Sequence, residues 1–252
     1  MHKRLFPGIG TLVNVVTVLV GSSAGVLLGH RLPHRTRDVV TDALGLVTLM
    51  IAALSAAAVV DPALESAVGP NAPVLIVLGS LLVGGIAGSL LRIESRLEGF
   101  GGWLQGRLTR GADSEERRRF VEGFVTASLV FCVGPLTVIG SLNDGLGNGA
   151  EELFLKAALD GFAAIAFAAS LGWGVAASAL AVLTVQGSLT ALGAVLGSFL
   201  PEAHLSALTA AGGLMLVGVA IRLLRIRSLP VGDLLPALLV APLLTQLVVV
   251  VR

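Results

Sequence analysis

Charged residues are scarce in this chain of 252 amino acids, and that shortage decides its broad class. Asp, Glu, Lys and Arg together occupy 13% of the positions, whereas about 25% is usual in a soluble domain. Hydrophobic residues occupy 55%, and the mean hydropathy is +0.92. The composition excludes an ordinary soluble domain and predicts an all-α protein that crosses the lipid bilayer several times.

The chain also lacks the residues that several other functions require. Its one cysteine, Cys132, excludes an internal disulfide. A formal net charge of +1 gives no indication of a nucleic-acid partner. No phosphate-binding loop, metal-ligand spacing or nucleophile motif occurs in the sequence. We therefore expect no enzyme, no catalytic residue, no bound metal and no cofactor.

Long apolar stretches predict eight membrane-spanning helices, because about 20 mostly apolar residues cross the hydrocarbon core. They are Ile9–Gly29, Val39–Val60, Pro73–Leu91, Phe120–Leu142, Leu153–Leu171, Gly174–Phe199, Leu205–Leu224 and Leu234–Val251. The turn at residues 172–174 carries no charge, so a seven-span count stays open. The long connection at residues 93–119 has an apolar face at helical spacing, which predicts an amphipathic segment on the cytoplasmic surface.

Charges between the spans predict their orientation. Alternate connections hold 13 of the 17 basic residues: Arg31, Arg35, Arg37, Arg92, Arg96, Arg107, Arg110, Arg117, Arg118, Arg119, Arg222, Arg225 and Arg227. The opposite connections hold only acidic charges, such as Asp61, Asp144 and Glu202. Basic connections face the cytoplasm, so we expect a multi-pass protein of the bacterial inner membrane with both termini outside. Lys3 and Arg4 oppose that placement of the N-terminus.

A helical hairpin occurs twice in the chain. Residues 25–46 and 193–214 align without a gap at an offset of 168, and nine of the 22 positions are identical. The hinge of the first copy, Leu32–Pro33, lies in a basic connection, and the hinge of the second copy, Leu200–Pro201, lies beside Glu202. The sequence therefore predicts an inverted repeat: residues 9–92, a two-helix insert at 120–172, and a second copy at 174–251.

Asp160 is the polar residue placed deepest in a predicted span. It lies near the middle of the fifth span, and Lys156 precedes it by four residues, which is one helical turn. A charge in lipid is costly and is usually paired or functional. Two interpretations stay open: an ion pair that holds helices in register, and a binding site for a cation or a proton.

The fourth span contains Gly134 and Pro135, followed by Thr137. Proline lacks a backbone donor and clashes with the preceding turn, so a kinked or interrupted helix is expected. Carbonyl groups freed at an interruption can coordinate a cation, although an inert kink is the alternative. Asp144 follows at the predicted outer end of this span.

Two amides lie inside other predicted spans, Asn14 in the first and Gln186 in the sixth. Such residues either tie helices together or bind a solute. The recurring glycines, Gly21 and Gly25 in the first span and Gly84 and Gly88 in the third, predict close helix packing.

Several stretches resemble one bacterial membrane family. They are Gly10–Asn14, Phe131–Thr137 continuing to Gly140–Gly145, and Leu235–Ala237 with Ala241–Pro242. They are similar to the family of domain of unknown function 554, and the resemblance covers nearly the whole chain. It implies a multi-spanning inner-membrane protein, and it implies no catalytic residues and no particular activity.

A transporter is the leading hypothesis, because inverted halves around a broken helix provide two oppositely facing states. It would move a small ion or solute, with a cation or proton as the moving or coupling species. The predicted binding residues are Asn14, Gly134, Pro135, Thr137, Asp144, Asp160 and Gln186. A homo-oligomeric membrane scaffold or regulatory protein is the alternative, and an ion channel is the third. The transporter requires a solvated cavity at Asp160, whereas the scaffold requires polar groups closed in hydrogen-bonded pairs.

Overall fold

The computed structural model describes residues 6–29, 33–108, 114–132, 135–196 and 201–252. Within these ranges the chain forms α-helices and two short 3-10 helices, and no strand. The α-helices are α1 (Ile9–Gly29), α2 (His34–Ala56), α3 (Pro62–Val68), α4 (Ala72–Leu91), α5 (Ile93–Leu108), α6 (Ser114–Cys132), α7 (Pro135–Leu146), α8 (Glu151–Leu171), α9 (Gly174–Ala177), α10 (Ala179–Leu196), α11 (Glu202–Leu223) and α12 (Ala237–Val251). The 3-10 helices are Ala57–Val60 and Val231–Leu234.

Seven helical stretches of the described chain are long and apolar enough to cross a membrane, and they match seven of the eight predicted spans. The remaining span is divided between α6 and α7, whose axes differ by 63°. The predicted all-α polytopic fold is therefore confirmed. The helix interruption lies where Pro135 predicts it, since α6 ends at Cys132 and α7 begins at Pro135. Gly134 lies outside the described residues.

Two connections contain more helix than the sequence predicts. After the second span, α3 forms because the Asp61 side chain accepts a hydrogen bond from the Ala63 amide at 2.8 Å and Pro62 begins the helix. Before the fourth span, α6 begins at Ser114 with two glutamates in its first turn, which the helix dipole favours. Residues 114–119 of the predicted amphipathic segment at 93–119 therefore belong to the helix that leads into the fourth span.

The chain separates into two compact units, each built from two separate segments of the sequence. Unit 1 comprises Met1–Leu44 and Glu98–Phe199, and unit 2 comprises Gly45–Leu97 and Leu200–Arg252. Unit 1 thus holds α1, α6, α7, α8, α9 and α10. Unit 2 holds α3, α4, α11 and α12, while α2 and α5 contribute residues to both units.

In unit 1, glycines bring α1 close to α8. A Cβ atom at Gly25 would overlap the carbonyl oxygen of Ile165 and lie 2.9 Å from the Cβ of Ala168. Gly29, one turn later, meets the backbone of Ala169 in the same way. The small-residue face of α1 is therefore a packing surface, as the glycine spacing predicts.

In unit 2, two glycines make a reciprocal contact between α2 and α11. A Cβ at Gly45 would lie 2.8 Å from the Cγ of Leu224, and a Cβ at Gly213 would lie 2.8 Å from the Cα of Ala56. Position 45 is as far before Ala56 as Gly213 is before Leu224. The contact residue therefore moves forward along α2 as it moves backward along α11, so the two helices pack antiparallel.

Helix α4 packs through glycine on α12 and on the 3-10 helix Val231–Leu234, because Gly84 faces the backbone of Ala237 and Gly88 faces the carbonyl group of Asp233. A small apolar core fills the rest of unit 2 between α3, α4, α11 and α12. Its buried members are Leu64, Val68, Ile76, Ala203, Ala207, Ala211 and Ala241.

The packing of α1 on α8 gives a first prediction. Gly25→Ala should lower the stability of the purified protein by about 1–3 kcal/mol, because the added methyl group forces two backbones apart. Gly187→Ala is the matched control, since Gly187 lies in α10 with no atom within 4 Å of the place that an added methyl group would take. Alanine is the better helix former, so the control should be neutral or up to about 1 kcal/mol more stable. Thermal unfolding in detergent measures both, and equal effects would contradict the close contact.

Candidate functional site

Eight of the buried polar residues of unit 1 lie on four helices, two on each helix and one turn apart. We call them the polar cluster: Thr11 and Asn14 on α1, Ser141 and Asp144 on α7, Lys156 and Asp160 on α8, and Gln186 and Thr190 on α10. Spacings of three or four residues place the members of each pair on one helix face. Burial of so many polar groups in an apolar protein is costly unless each is paired.

The ion pair, which is one of the two interpretations of the spacing of Lys156 and Asp160, is present. The Lys156 Nζ lies 2.9 Å from Oδ1 and 2.7 Å from Oδ2 of Asp160. The Asn14 Nδ2 donates to Oδ2 of the same carboxylate at 2.9 Å. Asp160 is only 6% exposed and Lys156 only 7%. The carboxylate is thus closed in a hydrogen-bonded pair, which is the arrangement that the scaffold hypothesis requires.

The Asp144 carboxylate forms a hydrogen bond with the first turn of α1. Its Oδ2 accepts a hydrogen bond from the Gly10 amide at 3.0 Å, and the side chain is 3% exposed. The first amides of a helix have no acceptor within the helix and carry partial positive charge, so a carboxylate is stabilising there. This contact ties α7 to α1, and the role at an outer mouth that the sequence predicted for Asp144 stays a prediction.

The interruption of the fourth span leaves a carbonyl group without its helical donor. Pro135 has no N–H, so the carbonyl of Phe131, four residues earlier, loses its usual partner. The hydroxyl of Thr137 donates to that oxygen at 3.2 Å, and Thr137 is buried. The Phe131 carbonyl thus has a hydrogen-bond partner within the chain, and cation coordination by carbonyl groups at the interruption stays a prediction. Thr137 acts here as a clamp across the interruption.

Helices α1 and α10 run antiparallel. Gly29 at the end of α1 lies against Ala169, shortly before the turn that leads into α10. Near the other end of α10, the hydroxyl oxygen of Thr190 lies 3.3 Å from that of Thr11, close to the start of α1. One turn further into the bundle along both helices come Asn14 and Gln186. These two amides are therefore at the same level of the α1–α10 contact.

Gln186 has more unpaired polar atoms than any other member of the polar cluster. It is 0% exposed, and neither its Oε1 nor its Nε2 has a hydrogen-bond partner among the described residues. The Oδ1 of Asn14 and the hydroxyl of Ser141 are likewise buried and unpaired in that part of the chain. An unpaired buried polar group costs about 1–3 kcal/mol. The polar cluster therefore contains unpaired atoms of Gln186, Asn14 and Ser141 in addition to the closed pair of Lys156 and Asp160.

The structure brings together Asn14, Asp160 and Lys156 directly, and it links Asp144 to the same helix, α1. Sequence reasoning did not assign a role to Thr11, Ser141 or Thr190. The signal was present in the spacing, because Thr137, Ser141 and Asp144 recur at i, i+4 and i+7 along α7. What the spacing could not indicate is which neighbouring helix each face contacts.

The fold and these contacts define a polytopic helical membrane protein with a buried polar cluster. The family described as "Protein of unknown function (DUF554)" matches residues 9–246, and the chain belongs to that family. It is 29% identical to "Uncharacterized protein YqgA" of Escherichia coli (strain K12) over 92% of this chain and 94% of that protein. It is 27% identical to "Uncharacterized membrane protein YdfK" of Bacillus subtilis (strain 168) over 92% and 93% respectively. No solved structure matches.

The closed ion pair gives a second prediction. Asp160→Asn leaves the Lys156 ammonium buried without a counter-charge, and Lys156→Met leaves the carboxylate in the same position. Each single change should cost about 3–5 kcal/mol, and combining the two should restore most of the loss. Thermal unfolding in detergent of the wild type, both single variants and the double variant forms a double-mutant cycle. A double variant as unstable as the sum of the singles would contradict the pair.

Proposed function

We propose that this protein is a transporter of a small ion or solute in the bacterial inner membrane, linked to a cation or a proton, and that it is not an enzyme. The observation that carries the proposal is Gln186, a fully buried amide with two unpaired atoms at the level of Asn14. A side chain that only held helices together would use its hydrogen bonds to do so. Unused capacity of this kind is expected where a passing molecule supplies the missing partners.

The ion pair supports the linkage to a cation or a proton. Lys156 neutralises Asp160 only while the two side chains remain within hydrogen-bonding distance. A proton or a cation that reached the carboxylate would compete with the ammonium group for the same oxygens. Asn14 donates to that carboxylate, and its remaining oxygen is at the level of Gln186. A proton or a cation at Asp160 would therefore reorient the Asn14 amide, whose oxygen is at the level of the unpaired atoms of Gln186.

The reciprocal contact in unit 2 supports an inverted repeat as the source of two alternating states. Adding 168, the offset of the sequence repeat, to Gly45 gives Gly213, and adding it to Ala56 gives Leu224. Gly45 meets Leu224, and Gly213 meets Ala56. Such an exchange of partners is the mark of an interface with two-fold symmetry. Antiparallel α2 and α11 are what a two-fold axis in the membrane plane would produce.

The proposed inversion predicts that the two hinges lie on opposite sides of the membrane. Thr36→Cys and Glu202→Cys, in a Cys132→Ala background, place single thiols at exposed positions beside the hinges. An impermeant maleimide added to intact spheroplasts should label the position-202 variant. It should label the position-36 variant only after permeabilisation, because its connection is basic. Labelling of both from the same side would exclude the inverted repeat.

A membrane scaffold is the second candidate, and the closed Asp160–Lys156 pair favours it. A scaffold needs no ligand, so its stability should not depend on which ions are present. A transporter of the proposed kind binds its coupling ion in the folded state, and a ligand at 100 times its Kd stabilises by about 2.7 kcal/mol. Ion-dependent stability therefore separates the two candidates without knowledge of the substrate.

We expect the wild-type melting temperature to rise with one of Na⁺, K⁺, a divalent cation or H⁺. The double variant Asp160→Asn with Lys156→Met should fold and lose that response, because both charges are absent. Glu115→Gln with Arg118→Met is the matched control, since it removes an exposed ion pair of 2.8 Å in α6. It should keep the response. A wild type indifferent to every cation and to pH would reject the transporter in favour of the scaffold.

A further inference from the structure

We propose that the unpaired amides of the polar cluster bind an uncharged solute that carries a hydrogen-bond donor and an acceptor side by side, as in a primary carboxamide. This inference rests on the proposed function and names the class of molecule that would be moved. It is drawn from Asn14 and Gln186, and from the charges that surround them in unit 1.

The orientation of the Asn14 amide follows from its partner. A carboxylate only accepts hydrogen bonds, so the nitrogen of Asn14 must be the atom that faces Asp160 at 2.9 Å. The other end of the same amide, Oδ1, is consequently an acceptor with a defined position. It is buried and has no partner in the described parts of the chain. A molecule in contact with Asn14 must therefore offer a donor.

Gln186 requires the complementary pair of groups. Its Oε1 needs a donor and its Nε2 needs an acceptor, and both atoms are buried and unpaired within the described ranges. A carboxamide group can satisfy both at once through two parallel hydrogen bonds. Its second N–H then remains for the Oδ1 of Asn14, which is at the same level between α1 and α10. All three unpaired amide atoms would be satisfied by one group.

The charges of the polar cluster argue against an ion at this position. Lys156 and Asp160 already cancel each other, at 2.7 Å. Asp144 accepts from the Gly10 amide at the positive end of α1. An added cation would leave the donor Nε2 of Gln186 unpaired, and an added anion would leave the Oδ1 of Asn14 and the Oε1 of Gln186 unpaired. A neutral group with both functions avoids an uncompensated buried charge.

Binding of acetamide to the detergent-purified full-length protein tests the inference. The group is small, so millimolar affinity is expected, and saturation-transfer NMR detects binding in that range. Acetate is close to acetamide in shape and N,N-dimethylacetamide keeps the amide carbonyl group, but both lack N–H donors, and ammonium lacks an acceptor. We expect a signal from acetamide and none from these three. A signal from acetate or ammonium without one from acetamide, or no signal from any probe, would overturn the proposal.

Gln186→Leu locates the site. The change keeps the size of the side chain and removes two hydrogen-bonding atoms, so the affinity for acetamide should fall about tenfold or more. Thr184→Val is the matched control on α10, because the Thr184 hydroxyl is exposed and bonds to its own helix at Leu180. It should leave binding unchanged. Equal binding by the wild type and Gln186→Leu would overturn the proposal.

Stability gives a second readout that does not depend on the probe. An unpaired buried amide destabilises a protein, so Gln186→Leu should melt at a higher temperature than the wild type. A lower melting temperature would show that the Gln186 amide is paired within the protein, and the inference would fail. The ion-dependent melting of the wild type reports separately on the proposed function. Ion-dependent stability without acetamide binding would reject only the solute class, whereas acetamide binding by a protein indifferent to ions and pH would reject the proposed transporter and leave only the carboxamide site.

Discussion

The carboxylate of Asp160 is the constraint on which unit 1 depends. A charge within an apolar helical bundle must be neutralised nearby, and only the spacing of one helical turn brings Lys156 close enough from the same helix. Asn14 completes the arrangement from α1. It can reach Asp160 because glycines let the backbones of α1 and α8 approach closely. The glycine spacing of α1 thus contributes to the burial of the Asp160 charge, because it allows Asn14 to reach the carboxylate.

The need to satisfy buried polar groups also explains the interrupted fourth span. Pro135 begins α7 at the position where proline is best tolerated, because the first amides of a helix have no internal acceptor. The Phe131 carbonyl, which loses its helical donor, accepts a hydrogen bond from the Thr137 hydroxyl instead. Asp144 lies further along α7, where it accepts from the first turn of α1. The interruption therefore changes the direction of the chain without leaving the Phe131 carbonyl unsatisfied, and it positions α7 beside α1.

Features that depend on neighbouring residues in the chain could be predicted from the sequence, and features that depend on tertiary contacts could not. Apolar length predicted the spans, the proline predicted the interruption, and the spacing of Lys156 and Asp160 made their pairing one of two interpretations. The contacts of Asp144 with Gly10 and of Thr11 with Thr190 join residues 134 and 179 positions apart. No local pattern contains that information. The helix α3 was missed because its seven residues give too little periodicity.

The proposed repeat gives a physical reason to regard the two amides as functional. At an offset of 168, Asn14 corresponds to Val182 and Gln186 corresponds to Val18. All four side chains are 0% exposed, so each position is a core position in both halves. Because Val182 and Val18 occupy the two equivalent positions, an apolar side chain satisfies the packing requirements of such a position. An amide in its place adds the cost of burying polar atoms, and for Gln186 no partner in the described chain offsets that cost. A residue that lowers stability where an apolar one fits is expected where function requires it.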